Sequence, residues 1–208
     1  MRMSRPVVRI FFLILVFFAS IFPAKAAEPD FLAPLKAQVA TVQTIRSEFT
    51  QETVIPMFAK PMLTQGRFVF KRPDALVWEY TSPIREGFSL RAGKGFRWDD
   101  GRESRVAFTA GDDPVATVIA RQLVAWITFD TDSLSSEYVI EKAGDTPLIL
   151  KMVPRKDDVR SVIAAIAVTF SPEGPARLVE VFEVRGGKTS IAFTGTIVNA
   201  PIADEEFE

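Results

Sequence analysis

Three pairs of adjacent carboxylates, Asp112/Asp113, Asp157/Asp158 and Glu205/Glu206, are the first residues in this chain whose type could support acid–base chemistry. Glycoside cleavage needs two carboxyl groups facing each other across a cleft. Sequence neighbours in loops do not face each other, so these pairs read as solvated turn residues. Asp130, Asp132 and Glu141 match positions 1, 3 and 12 of a calcium-binding loop. The central glycine of such a loop is replaced by Ser135, and Leu134 stands at a ligand position, so calcium is not expected there. The chain has no histidine and no cysteine, which removes Ser-His-Asp and Cys-His catalysis, histidine metal sites, disulfides and a lipid-modified N-terminal cysteine. Ser89 lies in Gly-Phe-Ser-Leu-Arg, which is not a nucleophile elbow. Gly93-Lys94-Gly95, Asp99-Asp100-Gly101 and Arg185-Gly186-Gly187-Lys188 sit between alternating segments and read as hairpin turns rather than phosphate loops. No enzyme activity, cofactor or metal is expected.

One charged residue stands apart from these. In Met62–Trp78, read as a strand, Gly66, Phe68, Phe70 and Arg72 share one face, and Gln65, Arg67, Val69 and Lys71 share the other. Pro73 ends the pairing, and the apolar face resumes with Leu76, Trp78 and Tyr80. A guanidinium closing an apolar face must find acceptors or water, which makes Arg72 a candidate latch.

The elements that would position it are mostly strands. A helix is expected from Asp30 to about Thr44, with Leu32, Leu35, Val39 and Val42 as its apolar stripe and Pro34 in its first turn. Eleven short strands follow, near residues 46–55, 63–71, 75–82, 87–92, 95–99, 104–109, 137–142, 147–154, 162–171, 176–185 and 189–199. The stretch 162–170 is apolar on both faces and reads as a well-covered strand. Between the sixth and seventh strands, Pro114 opens a helical segment apolar almost all round, including Val115, Ile119, Leu123 and Trp126, as suits a buried helix or a lid over an apolar surface. Phe68, Phe70, Leu76, Trp78, Tyr80, Phe88, Leu90, Phe182 and Phe193 fall on alternating positions. An ordinary core or a cavity for acyl chains would each account for them.

Residues 1–26 have the layout of a secretory signal: Arg2, Arg5 and Arg9, an apolar run from Ile10 to Phe22, and Ala24-Lys25-Ala26 at the cleavage site. Removing them takes away four basic residues and no acid, so the net charge of −1 becomes −5. That balance argues against nucleic acid as a partner. One domain over residues 27–208, soluble in the periplasm and monomeric, is expected.

Several of these residues also carry a resemblance. Ser47-Glu-Phe49-Thr-Gln51, Gln65-Gly66-Arg-Phe68-Val-Phe70-Lys71-Arg72-Pro73, Trp78-Glu-Tyr80 with Pro83, and the terminal Asp204-Glu-Glu-Phe207 resemble the LolA family of periplasmic lipoprotein carriers. The resemblance implies an incomplete antiparallel β-barrel, closed by helices, around a hydrophobic cavity. It implies acylated lipoproteins as cargo, an inner-membrane donor complex and an outer-membrane acceptor. It also implies that Arg72 holds the lid closed through hydrogen bonds to lid backbone and lets go when cargo enters. Asp74-Ala75 and Asp99-Asp100-Gly101-Arg102 depart from the family pattern. They leave another lipid or glycolipid, or a role in envelope sensing, open as alternatives.

Overall fold

The computed structural model describes residues 31–99, 105–109, 124–125 and 128–208. Among its helices are α1 (Ala33–Ala40), α2 (Thr131–Glu137) and α3 (Asp157–Arg160), and a 3₁₀ turn spans Asp204–Phe207. The strands are β1 (Thr44–Val54), β2 (Met62–Lys71), β3 (Ala75–Ser82), β4 (Glu86–Arg91), β5 (Lys94–Trp98), β6 (Arg105–Thr109), β7 (Tyr138–Asp145), β8 (Leu148–Pro154), β9 (Ile163–Phe170), β10 (Ala176–Glu183) and β11 (Lys188–Val198). All eleven form one antiparallel sheet in the order β6-β5-β4-β3-β2-β1-β11-β10-β9-β8-β7. Two meanders, β1–β6 and β7–β11, are therefore joined where the first strand pairs with the last. The sheet is not closed, because β6 and β7 are its two edges.

Hairpin chemistry explains much of the meander. Arg91 pairs with Lys94 across Ala92-Gly93, both at positive φ, the two-residue turn whose twist matches that of the strands. Gly66 lies opposite Phe49 on β1. A Cβ there would collide with the Phe49 ring and the Glu79 carbonyl, so glycine lets the ring lie flat across β2.

Two sequence expectations need correction. Helix α1 ends at Ala40, not near Thr44, because the sheet claims the following residues. Arg72 N–H donates to the Gln43 carbonyl, Gln43 N–H to Asn199 Oδ1, and Asn199 N–H to the Thr44 carbonyl. Proline does stand in its first turn, as expected, but Leu32 is the capping position; Asp30 lies outside the described residues. The second correction concerns β9, which is covered on both faces only towards its C-terminal end. Ile166, Val168, Thr169 and Phe170 are buried, whereas Val162 and Ala164 are exposed.

The buried side chains fall into three groups. One joins α1, α2 and β7–β10 through Leu35, Val39, Leu134, Leu150, Ile166 and Phe170. The second lies under β1–β4 through Phe49, Phe68, Phe70, Leu76 and Trp78. Ile191 and Phe193 of β11 pack against both, so the inner face of the sheet is apolar from one meander to the other. The third group occupies the opposite face of β2, β3 and β5: Val69, Ala75, Val77 and Trp98 under Ile202 and Phe207.

Candidate functional site

The inner face does not fill itself. Phe68 of β2, Trp78 of β3 and Phe193 of β11 stand across from Leu134 of α2, Leu150 and Met152 of β8, and Val168 and Phe170 of β9, around an empty space of about 800 Å³ that includes its solvent-open mouth. The aromatic wall is interlocked. Phe49 stacks on Trp78 with ring centres 4.4 Å apart, and Phe193 meets Phe68 and Trp78 edge-on at 6.2 and 6.3 Å. Such contacts hold the rings in place and leave their remaining faces to the cleft. Tyr80 Oη donates to Gln51 Oε1 at 3.0 Å, tying the Phe-x-Gln strand to the Trp-x-Tyr strand. Polar atoms in the wall are satisfied locally. Ser47 Oγ lies 2.8 Å from Thr196 Oγ1 and 3.0 Å from the Thr194 carbonyl, so these hydroxyls bond to each other and to backbone.

Arg72 sits where β2 meets α1. Its Nε donates to the Val42 carbonyl at 2.6 Å and an Nη to the Val39 carbonyl at 3.0 Å. The guanidinium therefore grips the C-terminal end of α1, where carbonyls have no partner within the helix and a cation is favoured. Val39 belongs to the group that backs the cleft, so the same helix is held by an apolar anchor and a charged clasp.

The other residues predicted from sequence separate into groups. Phe68, Trp78 and Phe193 line the cleft. Phe70, Leu76 and Leu90 are buried behind it, and Tyr80 and Phe88 pack at its margin. Phe182 is placed elsewhere: Val179 and Val181 face the core, so alternation puts Phe182 on the outer face, where Lys188 Nζ stands 5.4 Å from its ring. Val115, Ile119, Leu123 and Trp126 lie outside the described residues. Of that segment, Val124 packs against the Phe49–Trp78 group and Ala125 against the other.

The carboxylates are also placed. Asp130 caps α2, accepting the Ser133 N–H at 3.2 Å, a structural use of the residue that opened the calcium pattern. Asp157 and Asp158 occupy the exposed first turn of α3. Glu206 departs from the expectation of a solvated turn residue, since it is paired with Arg67 and Arg46. Ser89 is buried on β4, and its hydroxyl has no hydrogen-bond partner among the described residues. Sequence reading missed the second wall of the cleft, Leu150, Met152, Val168 and Phe170. The signal was present as period-two alternation in β8 and β9.

An open antiparallel sheet with an apolar cleft on its inner face and, among the described residues, few helices is the class of protein this structure defines. The chain belongs to the LolA family: the profile described as outer membrane lipoprotein carrier protein LolA matches residues 40–208. Outer-membrane lipoprotein carrier proteins of Cupriavidus taiwanensis (27% identical over 202 residues, 93% of this chain and 88% of the relative) and Bordetella avium (26% over 187 residues, 89% and 85%) are similar to it. A solved LolA superfamily protein from Nitrosomonas europaea matches at 10% identity and TM-score 0.42, covering 83% of this chain and 94% of that one.

Proposed function

We propose that this chain is a non-enzymatic periplasmic carrier. It takes the acyl chains of lipoproteins into the cleft between its two meanders and carries them from the inner to the outer membrane. The observation that carries the reading is a cleft walled on both sides by apolar side chains, whose few hydroxyls are already bonded within the wall. Each buried methylene of an acyl chain contributes roughly 0.8 kcal/mol, so a partly filled cleft suffices to hold a lipid in water. Family membership supports lipoproteins over other lipids, and residues 1–26 act in this reading as a cleaved export signal. The donor is an inner-membrane complex and the acceptor lies at the outer membrane.

A carrier must also release its load. Arg72 serves as the latch, holding α1 against the sheet when the cleft is empty and yielding when cargo displaces the helix. Only a few kcal/mol need separate the two states for such a cycle to run in both directions. Arg72→Leu is expected to keep the fold and to retain cargo while losing transfer between donor and acceptor membranes. Wild-type transfer by that variant would remove the latch role.

Native mass spectrometry with lipid extraction, on protein purified from its own periplasm, tests the cargo. A triacylated lipoprotein bound one to one supports the reading. A free phospholipid or glycolipid replaces the cargo, and an empty protein rejects the carrier.

A further inference from the structure

Eight of the twelve large apolar side chains that stand exposed among the described residues gather at one end of the sheet: Met57, Phe58, Met62, Leu63, Ile84 and Val184, with Val54 and Val162 beside them. Strand register brings them together. Thr53 pairs with Met62, Gln65 with Ser82, and Val54 with Lys188, so the β1–β2, β3–β4 and β10–β11 turns lie side by side. Pro56 approaches the Cβ position of Gly186 to 3.8 Å, which places the first of these turns against the last. Met57 is 88% exposed and Phe58 59%, so the tip projects from the surface and neither side chain has a platform of its own. From Val54 to Thr64 the chain carries a single charge, Lys60, and no acid. Arg85 and Arg185 stand exposed in the two neighbouring turns. Glu52, which pairs with Leu63, and Glu86 and Glu183 are the exposed acids flanking these turns; none falls within the apolar tip itself.

We infer that this end of the sheet is a membrane-contacting edge that inserts the Met57-Phe58 tip into the headgroup region of a phospholipid bilayer carrying anionic lipid. A convex apolar tip without a frame suits a fluid medium, which conforms to it, better than a rigid protein groove. A phenylalanine beside a flexible methionine partitions into the interfacial zone. Lys60 can keep its ammonium among the phosphates while its stem follows the tip inward. The cations of the adjacent turns add attraction to anionic headgroups that fades with salt. The tip lies at the opposite end of β1 and β11 from the residues Arg72 clasps. The edge therefore stands whatever the cleft carries.

The absence of native cysteine makes the test direct. Phe58→Cys, Ile84→Cys and, at the far end of β11, Ile197→Cys are each labelled with an environment-sensitive dye and mixed with vesicles of phosphatidylethanolamine and phosphatidylglycerol. A blue shift at positions 58 and 84 with none at 197 is the expected result, weakened by salt. In a second measurement, Met57→Asp/Phe58→Asp, which changes only exposed side chains, lowers co-flotation with the same vesicles by about tenfold or more. No shift at position 58, or an equal shift at all three sites, overturns the inference. So does a shift seen only with native membranes and abolished by protease treatment, which would mean a protein partner.

Discussion

Strands β2 and β3 carry an apolar face on each side, and the two faces end differently. On the outer side Val69, Ala75, Val77 and Trp98 are sealed by the C-terminal segment through Ile202 and Phe207. The seal is fastened at its edges: Lys71 and Arg91 each reach Asp204 at 2.6 Å, and Glu206 pairs with Arg67, which also binds Glu79. On the inner side Phe68 and Trp78 are packed laterally by other rings and face a space that no described side chain fills. Both faces arise from the same alternation, with Phe68, Phe70, Leu76 and Trp78 inward and Val69, Ala75 and Val77 outward. What makes one a core and the other a site is whether the chain supplies its own cover.

The largest effects should come from breaking the sealed side. Trp98 is almost wholly buried on the outer face, so Trp98→Ala should cost about 3–5 kcal/mol in urea unfolding. Phe193 is half-buried at the cleft, and Phe193→Ala should cost only about 1–2 kcal/mol, because part of its ring is never packed by the protein. Its loss should instead show in retained lipid. Equal stability costs for the two variants would mean that the inner face is simply another core.

Glu79 comes next. It is 1% exposed on the outer face, with Arg67 Nε donating to one carboxylate oxygen and Arg85 Nε 3.5 Å from the other. Burial works against the Arg67 cation, yet its hydrogen bonds to Glu79 and Glu206 more than offset this and hold its pKa above the ordinary arginine value. Glu79→Gln should destabilise by about 2–3 kcal/mol. That lies below the range for a fully buried broken pair, because Arg67 is partly exposed and keeps Glu206. If Glu79→Gln is neutral while Trp98→Ala is severe, the seal depends on apolar contact and the ion pairs only set its register.

These differences show what could be read from the residues alone. All eleven strands were legible, since period-two alternation and turns built on glycine or proline are local signals. The curvature partner of β1 was not, because its pairing with β11 joins opposite ends of the chain and leaves no local mark. For the same reason the outer seal was invisible. Glu206 is 139 residues from Arg67, and Glu79, which faces Arg67 across the β2–β3 hairpin, looks like an ordinary strand-surface acid. Arg72 was legible as a charge in need of acceptors, but its helix partner was not. Phe182 reads as cavity lining by residue type, yet Glu180, two residues before it, shares its side of β10. Residue parity along β10 points it outwards.

The smallest expected effect concerns how the seal answers to pH. Hydrogen bonding from Lys71, aided by the charge of Arg91, lowers the Asp204 pKa below the usual aspartate value. A group whose folded pKa is depressed adds stability above its unfolded pKa and loses it as the pH falls through the folded value. The contribution of Asp204 is therefore complete at neutral pH and disappears in the acid range below about pH 4. Its carboxylate is solvent-exposed, so salt should screen it as well. Urea midpoints measured from pH 6 down to pH 2 should fall less steeply for Asp204→Asn than for the wild type, with the gap narrowing in high salt. Among the described residues the aromatic wall of the inner face has no such pair, so lipid retained in the cleft should not follow the same acid limb. A variant that loses stability with acid as steeply as the wild type would show that Phe207 and Ile202 hold the cover down by burial alone, with Asp204 along only for the ride of solvation.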